Sequence, residues 1–214
     1  MLKVWGRKSS SNVQAVMWCI GELDLAHERI DAGLTYGLVD TTEYLSMNPN
    51  GTIPTLRDGD GPALWESGAI LRYLANGYAG DSFWPADPKA RAEVDKWAEW
   101  SKLNVVVNFT RPIFWSVVRT LPSQRDPVAI ADGLRTLNRF LDIAEVQLAT
   151  SPYLAGEHLT LADIQFGHCL FRYFDIEIER AEHPALRRYY DTLTGRPNYR
   201  EHVMVSYDEL RAED

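Results

Sequence analysis

Asn48-Pro49-Asn50-Gly51-Thr52-Ile53-Pro54-Thr55-Leu56 and, shortly after it, Trp65-Glu66-Ser67-Gly68-Ala69-Ile70-Leu71-Arg72-Tyr73-Leu74 decide how this chain folds. Asn48 to Gly51 is a strong turn signal. It releases a short strand over Ile53 to Leu56, and Asp58-Gly59-Asp60-Gly61 connects that strand to a second one at Ala63-Leu64 as a hairpin. From Ser67 to Tyr78 the apolar positions Ile70, Leu71, Tyr73 and Leu74 mark a helix. Working back toward the amino terminus, Leu2 to Trp5 reads as a buried strand. Asn12 to Leu23 carries Val13, Val16, Met17, Ile20 and Leu23 near helical spacing. His27 to Ile30 is a weak second strand, and Thr41 to Leu45 opens a short helix. The order is β-α-β-α-β-β-α, an α/β domain.

Working forward, the character changes. Gly80 to Asp87, with Phe83, Trp84 and Pro85, reads as a linker, and nearly everything beyond it is helical. Asp87 is placed to cap a helix with Pro88 at its first position, where a missing N–H costs nothing. That helix is expected to run to about Leu121 and to kink or divide at Pro112. A second long helix spans Pro127 to Ala149. A third starts at Thr160-Leu161-Ala162-Asp163, a Thr-x-x-Asp variant of the capping box. A fourth covers residues 184 to 194 and closes at Gly195. The expected division is an α/β domain over 1–79, a linker over 80–87 and an all-helical domain over 88–214.

The chain has 214 residues and a formal net charge of −8. That balance excludes the basic face a nucleic-acid partner requires. No window approaches the roughly 18 uninterrupted apolar residues of a membrane span, and the first residues do not read as a signal peptide. Cys19 and Cys169 are the only cysteines and are far apart, which suits buried thiols better than a disulfide or a metal site. The cytosol is the expected compartment.

Three clusters in the first domain carry chemical possibilities. Ser9-Ser10-Ser11-Asn12 lies where the first strand hands over to the first helix. A helix amino terminus offers unpaired N–H groups and a positive dipole end to an anion, and a serine hydroxyl there can donate to a thiolate. Lowering a thiol pKa by two units needs only about 2.7 kcal/mol of preferential stabilisation. Gly51-Thr52-Ile53-Pro54 turns the Ile53 backbone toward that terminus if the Ile53–Pro54 bond is cis, so that its N–H and C=O can pair with an extended peptide. At Glu66-Ser67, the serine suits a substrate carboxylate and the glutamate an ammonium, the two charges of an α-amino acid. Each cluster alone has a plainer account, as helix caps and an edge proline.

Taken in order, Ser-x-Asn before the first helix, Asn-Pro-Asn-Gly-Thr-Ile-Pro-Thr-Leu, and Trp-Glu-Ser-Gly-Ala-Ile-Leu-Arg-Tyr-Leu resemble the amino-terminal domain of glutathione transferases. Leu159 to Ile164 is similar to the capping motif of that family's helical domain. The resemblance covers essentially the whole chain. It implies a thioredoxin-like first domain, glutathione as co-substrate without a metal, and a homodimer. It also implies a serine-type enzyme similar to the theta and bacterial nu-like branches. The thiol-activating hydroxyl then falls on Ser10, with Asn12 as a second donor to sulfur and Ser11 or Ser9 as alternatives one residue away. The cysteinyl contact falls on Ile53 beside Pro54, and the γ-glutamyl contacts on Glu66 and Ser67. Thr52, Asn50 or Arg7 are candidates for the glycyl carboxylate.

The acceptor site, for an apolar or aromatic electrophile, is expected around Val107, Arg111, Phe114 and Trp115. An arginine and two aromatics near a kink suit a core equally well. His158 and His168 lack partners at zinc-motif spacing and read as structural. Asp163 reads as a folding residue, and Asp208-Glu209 with Glu213-Asp214 as a solvated acidic end. The leading function is attack of the glutathione thiolate on an electrophilic carbon. Glutathione-dependent reduction of peroxides or disulfides and a non-catalytic binding role are the alternatives.

Overall fold

The computed structural model describes residues 1–212; Glu213 and Asp214, counted above in the acidic end, lie outside them. Four strands form one mixed sheet: β1 (Leu2–Trp5), β2 (His27–Ile30), β3 (Thr55–Asp58) and β4 (Leu64–Trp65), in the order β2-β1-β3-β4. β1 is central, parallel to β2 (Leu2 opposite His27) and antiparallel to β3 (Trp5 opposite Thr55). Its alternation is the reason: Leu2 and Val4 are buried, whereas Lys3 between them is exposed. β3 begins after Pro54 rather than at Ile53, because a proline has no N–H to give the ladder.

Helices α1 (Ser11–Glu22), α2 (Thr42–Met47) and α3 (Ser67–Tyr78) complete the first domain. Thr41 caps α2 by accepting the Tyr44 N–H at 3.2 Å. Every residue of α1 from Val13 to Ile20 is buried, so the helix has no polar stripe. It packs on α3, and also on α8 (Leu161–Gly167) and α11 (Pro197–His202) of the helical domain. Each fully buried aliphatic side chain there stabilises by about 1.5–3 kcal/mol. Glu22 at the end of α1 takes a two-pronged ion pair from Arg196 and the Trp18 indole N–H at 2.8 Å, joining the two domains.

The helical domain opens with α4 (Pro88–Trp100), where Asp87 accepts the Ala90 N–H at 2.8 Å and Pro88 takes the first position. The helical path continues to residue 118 but widens twice into π-type turns, over Ser101–Val106 and Thr110–Trp115. Short α-helical pieces α5 (Val107–Phe109) and α6 (Ser116–Val118) follow the two turns. The second turn contains Pro112, which cannot donate to the preceding turn and crowds it; widening the coil is how the helix passes the ring instead of breaking. Then come α7 (Pro127–Thr150), α8, α9 (Leu170–Asp175), α10 (Pro184–Thr194) and α11. Asp163 in α8 is buried and accepts from the Thr160 and Leu154 N–H groups and the Tyr189 hydroxyl at 2.8–3.0 Å. Gly167 ends α8 where a Cβ would stand 2.7 Å from Leu193 Cδ1 and 3.0 Å from the Trp18 ring, so its absence lets α8 lie against α1.

Candidate active site

β1 delivers the chain to residues 6–10, and α1 then starts at Ser11 with Ser10 in the N-cap position (φ −85°, ψ 120°). Ser10 does not use its hydroxyl to cap: only its carbonyl joins the helix, accepting the Gln14 N–H at 2.8 Å. Ser11 is already helical. The three neighbouring serines are thereby told apart. Ser9 is buried, and its hydroxyl is taken up by Glu209 and by Arg7 Nε at 3.1 Å. Asp208 and Glu209 are both exposed, as expected of a solvated acidic end, but Glu209 also has a partner in the first domain. It reaches back from the turn over Asp208–Leu210, 3.8 Å from Arg7, to close over the Ser9 loop.

Antiparallel pairing of β1 with β3 brings Ile53-Pro54 alongside Gly6 and Arg7, and the Ile53–Pro54 peptide is cis. The Ile53 N–H and C=O have no backbone partner among the described residues. The Thr52 carbonyl is held by the Tyr44 hydroxyl at 2.7 Å and Asn48 Nδ2 at 2.8 Å, while Asn50 bonds to Asn48 Oδ1. Arg7 is engaged with Ser9 and Glu209 rather than pointing to an open site.

Glu66 precedes α3 with φ 68°, a left-handed conformation costly for a side chain with a Cβ and found most often where geometry serves a site. Ser67 follows as the first residue of α3, buried, with Oγ 3.4 Å from Asn12 Oδ1. The starts of α1 and α3 thus meet through two side chains. Sequence reasoning missed a third member of this junction. Lys102, on the first π-type turn, donates from Nζ to Asn12 Oδ1 at 3.0 Å and to Ser67 Oγ at 2.9 Å. Burial holds its pKa below the ordinary lysine range, against the pull of Glu66 and Glu99. A cavity of about 270 Å³ opens beside it, lined by Glu66, Gly68, Arg72, Lys102, Leu103 and Gln165 among others.

Of the expected acceptor residues, Val107 and Arg111 are exposed and Trp115 is half-buried, with the Arg111 and Arg119 guanidiniums 5.0 and 4.8 Å from the Trp115 ring centre. Phe114 is different: it is fully buried against Phe109, Tyr207 and the Arg172 guanidinium, so it belongs to the core and presents no face to a cleft. His168 is buried, with Nδ1 3.1 Å from the Ile164 carbonyl. Cys19 and Cys169 are buried free thiols that burial pushes well above the ordinary range, Cys169 to about 12. Among the described residues no group of three or more His, Cys, Asp or Glu is arranged for a metal, and no helix is long and apolar enough to cross a membrane.

This geometry has close counterparts. Residues 1–76 match the glutathione S-transferase N-terminal domain and residues 127–192 the C-terminal domain. Glutathione S-transferase GstB of Escherichia coli K12 is 35% identical over 206 residues, covering 96% of this chain and 99% of that protein. The chain is a member of the glutathione S-transferase superfamily. Among solved structures, a theta class glutathione S-transferase from Xanthomonas axonopodis pv. citri with glutathione bound superposes with a TM-score of 0.90 at 40% identity, covering 96% of this chain and 98% of that one. A glutathione S-transferase from Pseudomonas fluorescens follows with a TM-score of 0.81 and 28% identity, over 92% and 96% of the two chains. The four-stranded mixed sheet with its helices is the thioredoxin-like domain of the glutathione transferase fold, and the helices after it are that fold's second domain.

Within that fold Arg172 of α9 is the other residue without a sequence signal. It is buried, lies over Phe114 at 4.7 Å and Tyr207 at 5.6 Å, and donates to the Ser9 carbonyl. Neither Lys102 nor Arg172 sits in a motif. Only the packing of the helical domain against residues 9–12 reveals them.

Proposed function

We propose that this chain is a serine-type glutathione transferase, in which the Ser10 hydroxyl donates to the glutathione sulfur and holds it as thiolate for attack on an electrophilic carbon. The observation that carries this reading is the meeting of the α1 and α3 amino termini at Asn12 and Ser67, next to a Ser10 hydroxyl that caps nothing. The thiolate gains a hydroxyl bond, the amide of Asn12 and the unpaired N–H groups of the first turn of α1. Ile53 pairs its backbone with the cysteinyl unit beside Pro54, with Thr52 next to it. Glu66 takes the γ-glutamyl ammonium, and the Ser67 hydroxyl and N–H take its carboxylate. Most of the rate then comes from holding thiolate and acceptor together.

The division of labour follows the expected domains, with 1–79 holding glutathione and 88–214 supplying the acceptor wall. Val107, Arg111 and Trp115 form that wall, backed by Phe114. An aromatic surface with a cation suits an apolar or aromatic electrophile on which negative charge develops. We further propose a homodimer working in detoxification in the cytoplasm, the compartment that suits two reduced thiols.

The test is a titration of bound glutathione followed by thiolate absorbance, together with turnover of an electrophile panel and product masses. Ser10→Ala is expected to lose tenfold or more in turnover, about 1.4 kcal/mol, with little change in stability. Full turnover in Ser10→Ala with loss in Ser11→Ala would move the role to Ser11. A protein that does not bind glutathione would end this reading.

A further inference from the structure

Among the described residues the ammonium of Lys102 is the one group in hydrogen-bond contact with both Asn12 and Ser67, and it comes from the other domain. An ammonium has donors and no acceptor, so the Asn12 atom facing it must be the carbonyl oxygen. Asn12 Oδ1 receives both Lys102 Nζ at 3.0 Å and Ser67 Oγ at 3.4 Å. Its Nδ2 is thereby turned the opposite way, with no acceptor among the described residues. A planar amide has two faces to choose between, an acceptor end and a donor end. Only the donor end helps an anion.

We infer that Lys102 is a positioning residue for thiol activation: by fixing the Asn12 carboxamide with its oxygen toward the domain junction, it presents Nδ2 as a donor to the glutathione sulfur. The inference rests on the reading of Ser10 and Asn12 given above and adds to it a part played by the helical domain. It also predicts a rearrangement on glutathione binding. The Ser67 hydroxyl leaves Asn12 to donate to the incoming carboxylate, and Lys102, still bonded to Oδ1, keeps the amide from flipping. The charged groups that face Lys102 are Glu66 before α3 and Glu99 on α4, and the neutral, buried His168 lies near it. None of them bonds to Asn12, so the orientation depends on the lysine. Lys102 stands on the π-type turn over Ser101–Val106.

The experiment is a double-mutant cycle on the full-length protein, with the pKa of bound glutathione read from thiolate absorbance and kcat and KM measured alongside. Lys102→Met is expected to raise the bound thiol pKa by about one unit and to lower kcat about tenfold. Asn12→Ala should do the same, and the double variant should be no worse than Asn12→Ala alone, since both remove one interaction. Lys102→Arg, which keeps a donor, should restore most of the effect and guards against misfolding of the methionine variant. Additive losses in the double variant would overturn the inference, because the lysine would then act on the sulfur or the tripeptide directly. A Lys102→Met protein with an unshifted thiol pKa would overturn it too. A parent protein that binds glutathione without lowering its thiol pKa would overturn the proposed function and this inference together.

Discussion

Arg172 Nη2 donates to the Ser9 carbonyl at 2.5 Å across 163 residues of sequence, and among the described residues no carboxylate shares the guanidinium. Its Nε is buried without a partner among the described residues, and burial brings its pKa down to about 10. A cation held at the Ser9 carbonyl, next to Ser10, is expected to serve the loop and its electrostatics more than stability.

Arg172→Met should therefore separate the two. The change orphans the Ser9 carbonyl but also removes a desolvated charge, effects of opposite sign, so the unfolding free energy from urea titration should stay within about 1 kcal/mol of the parent. Turnover should fall roughly tenfold, about 1.4 kcal/mol, with a higher pKa for the bound thiol. Unchanged turnover would show that the Ser9 loop holds itself.

Ser9→Ala should behave as the opposite of Ser10→Ala. Its hydroxyl already serves Glu209 and Arg7, so its loss should cost about 1 kcal/mol of stability and leave the bound thiol pKa in place. A thiol shift in Ser9→Ala as large as in Ser10→Ala would contradict the assignment of the three serines.

His168 makes stability depend on acidity. Burial, helped by Lys102, lowers its pKa from 6.5 to about 3, so the folded protein keeps it neutral while the unfolded chain protonates it. The stabilisation is complete above pH 6.5 and is lost as pH falls, at about 1.4 kcal/mol per unit. Urea titrations should show about 2 kcal/mol less contribution from this residue at about pH 5 than near neutrality, and His168→Asn should flatten that slope. Parallel slopes in the two proteins would refute the linkage.

Asp163→Ala should be the most damaging of these changes. It orphans two backbone N–H groups and the Tyr189 hydroxyl in the core, a loss of about 3 kcal/mol or more. A melting temperature unchanged from the parent would mean that water replaces the carboxylate.

Trp115→Ala should lower kcat/KM for aromatic electrophiles about tenfold while leaving the KM for glutathione alone. Equal loss for small aliphatic acceptors would remove Trp115 from the proposed wall.

Much of this was legible in the residues because it is local. The order β-α-β-α-β-β-α, the span Ser67–Tyr78, the Asp87 and Thr160 starts and Gly195 as a stop all follow from periodicity and caps. What escaped depends on packing between distant segments. Phe114 and Trp115 are adjacent aromatics, and only the arrival of Tyr207 and Arg172 decides that the first is core. Lys102 and Arg172 look like ordinary helix cations until the domains meet. Glu209 reads as a solvated acid because nothing nearby in sequence needs it. The π-type turns leave no pattern except Pro112, and α11 is too short to show a period.

The closure of the Ser9 loop by Glu209, two hundred positions later in the chain, has a consequence for biosynthesis. The glutathione-holding domain is translated first and can assemble its sheet while the remainder is still being made. The loop that precedes Ser10 acquires its Glu209 partner only after the helical domain has been made. A nascent chain paused in the helical half would hold a formed sheet beside an unfinished Ser9 loop, so on the proposed reading competence for chemistry arrives after competence for binding.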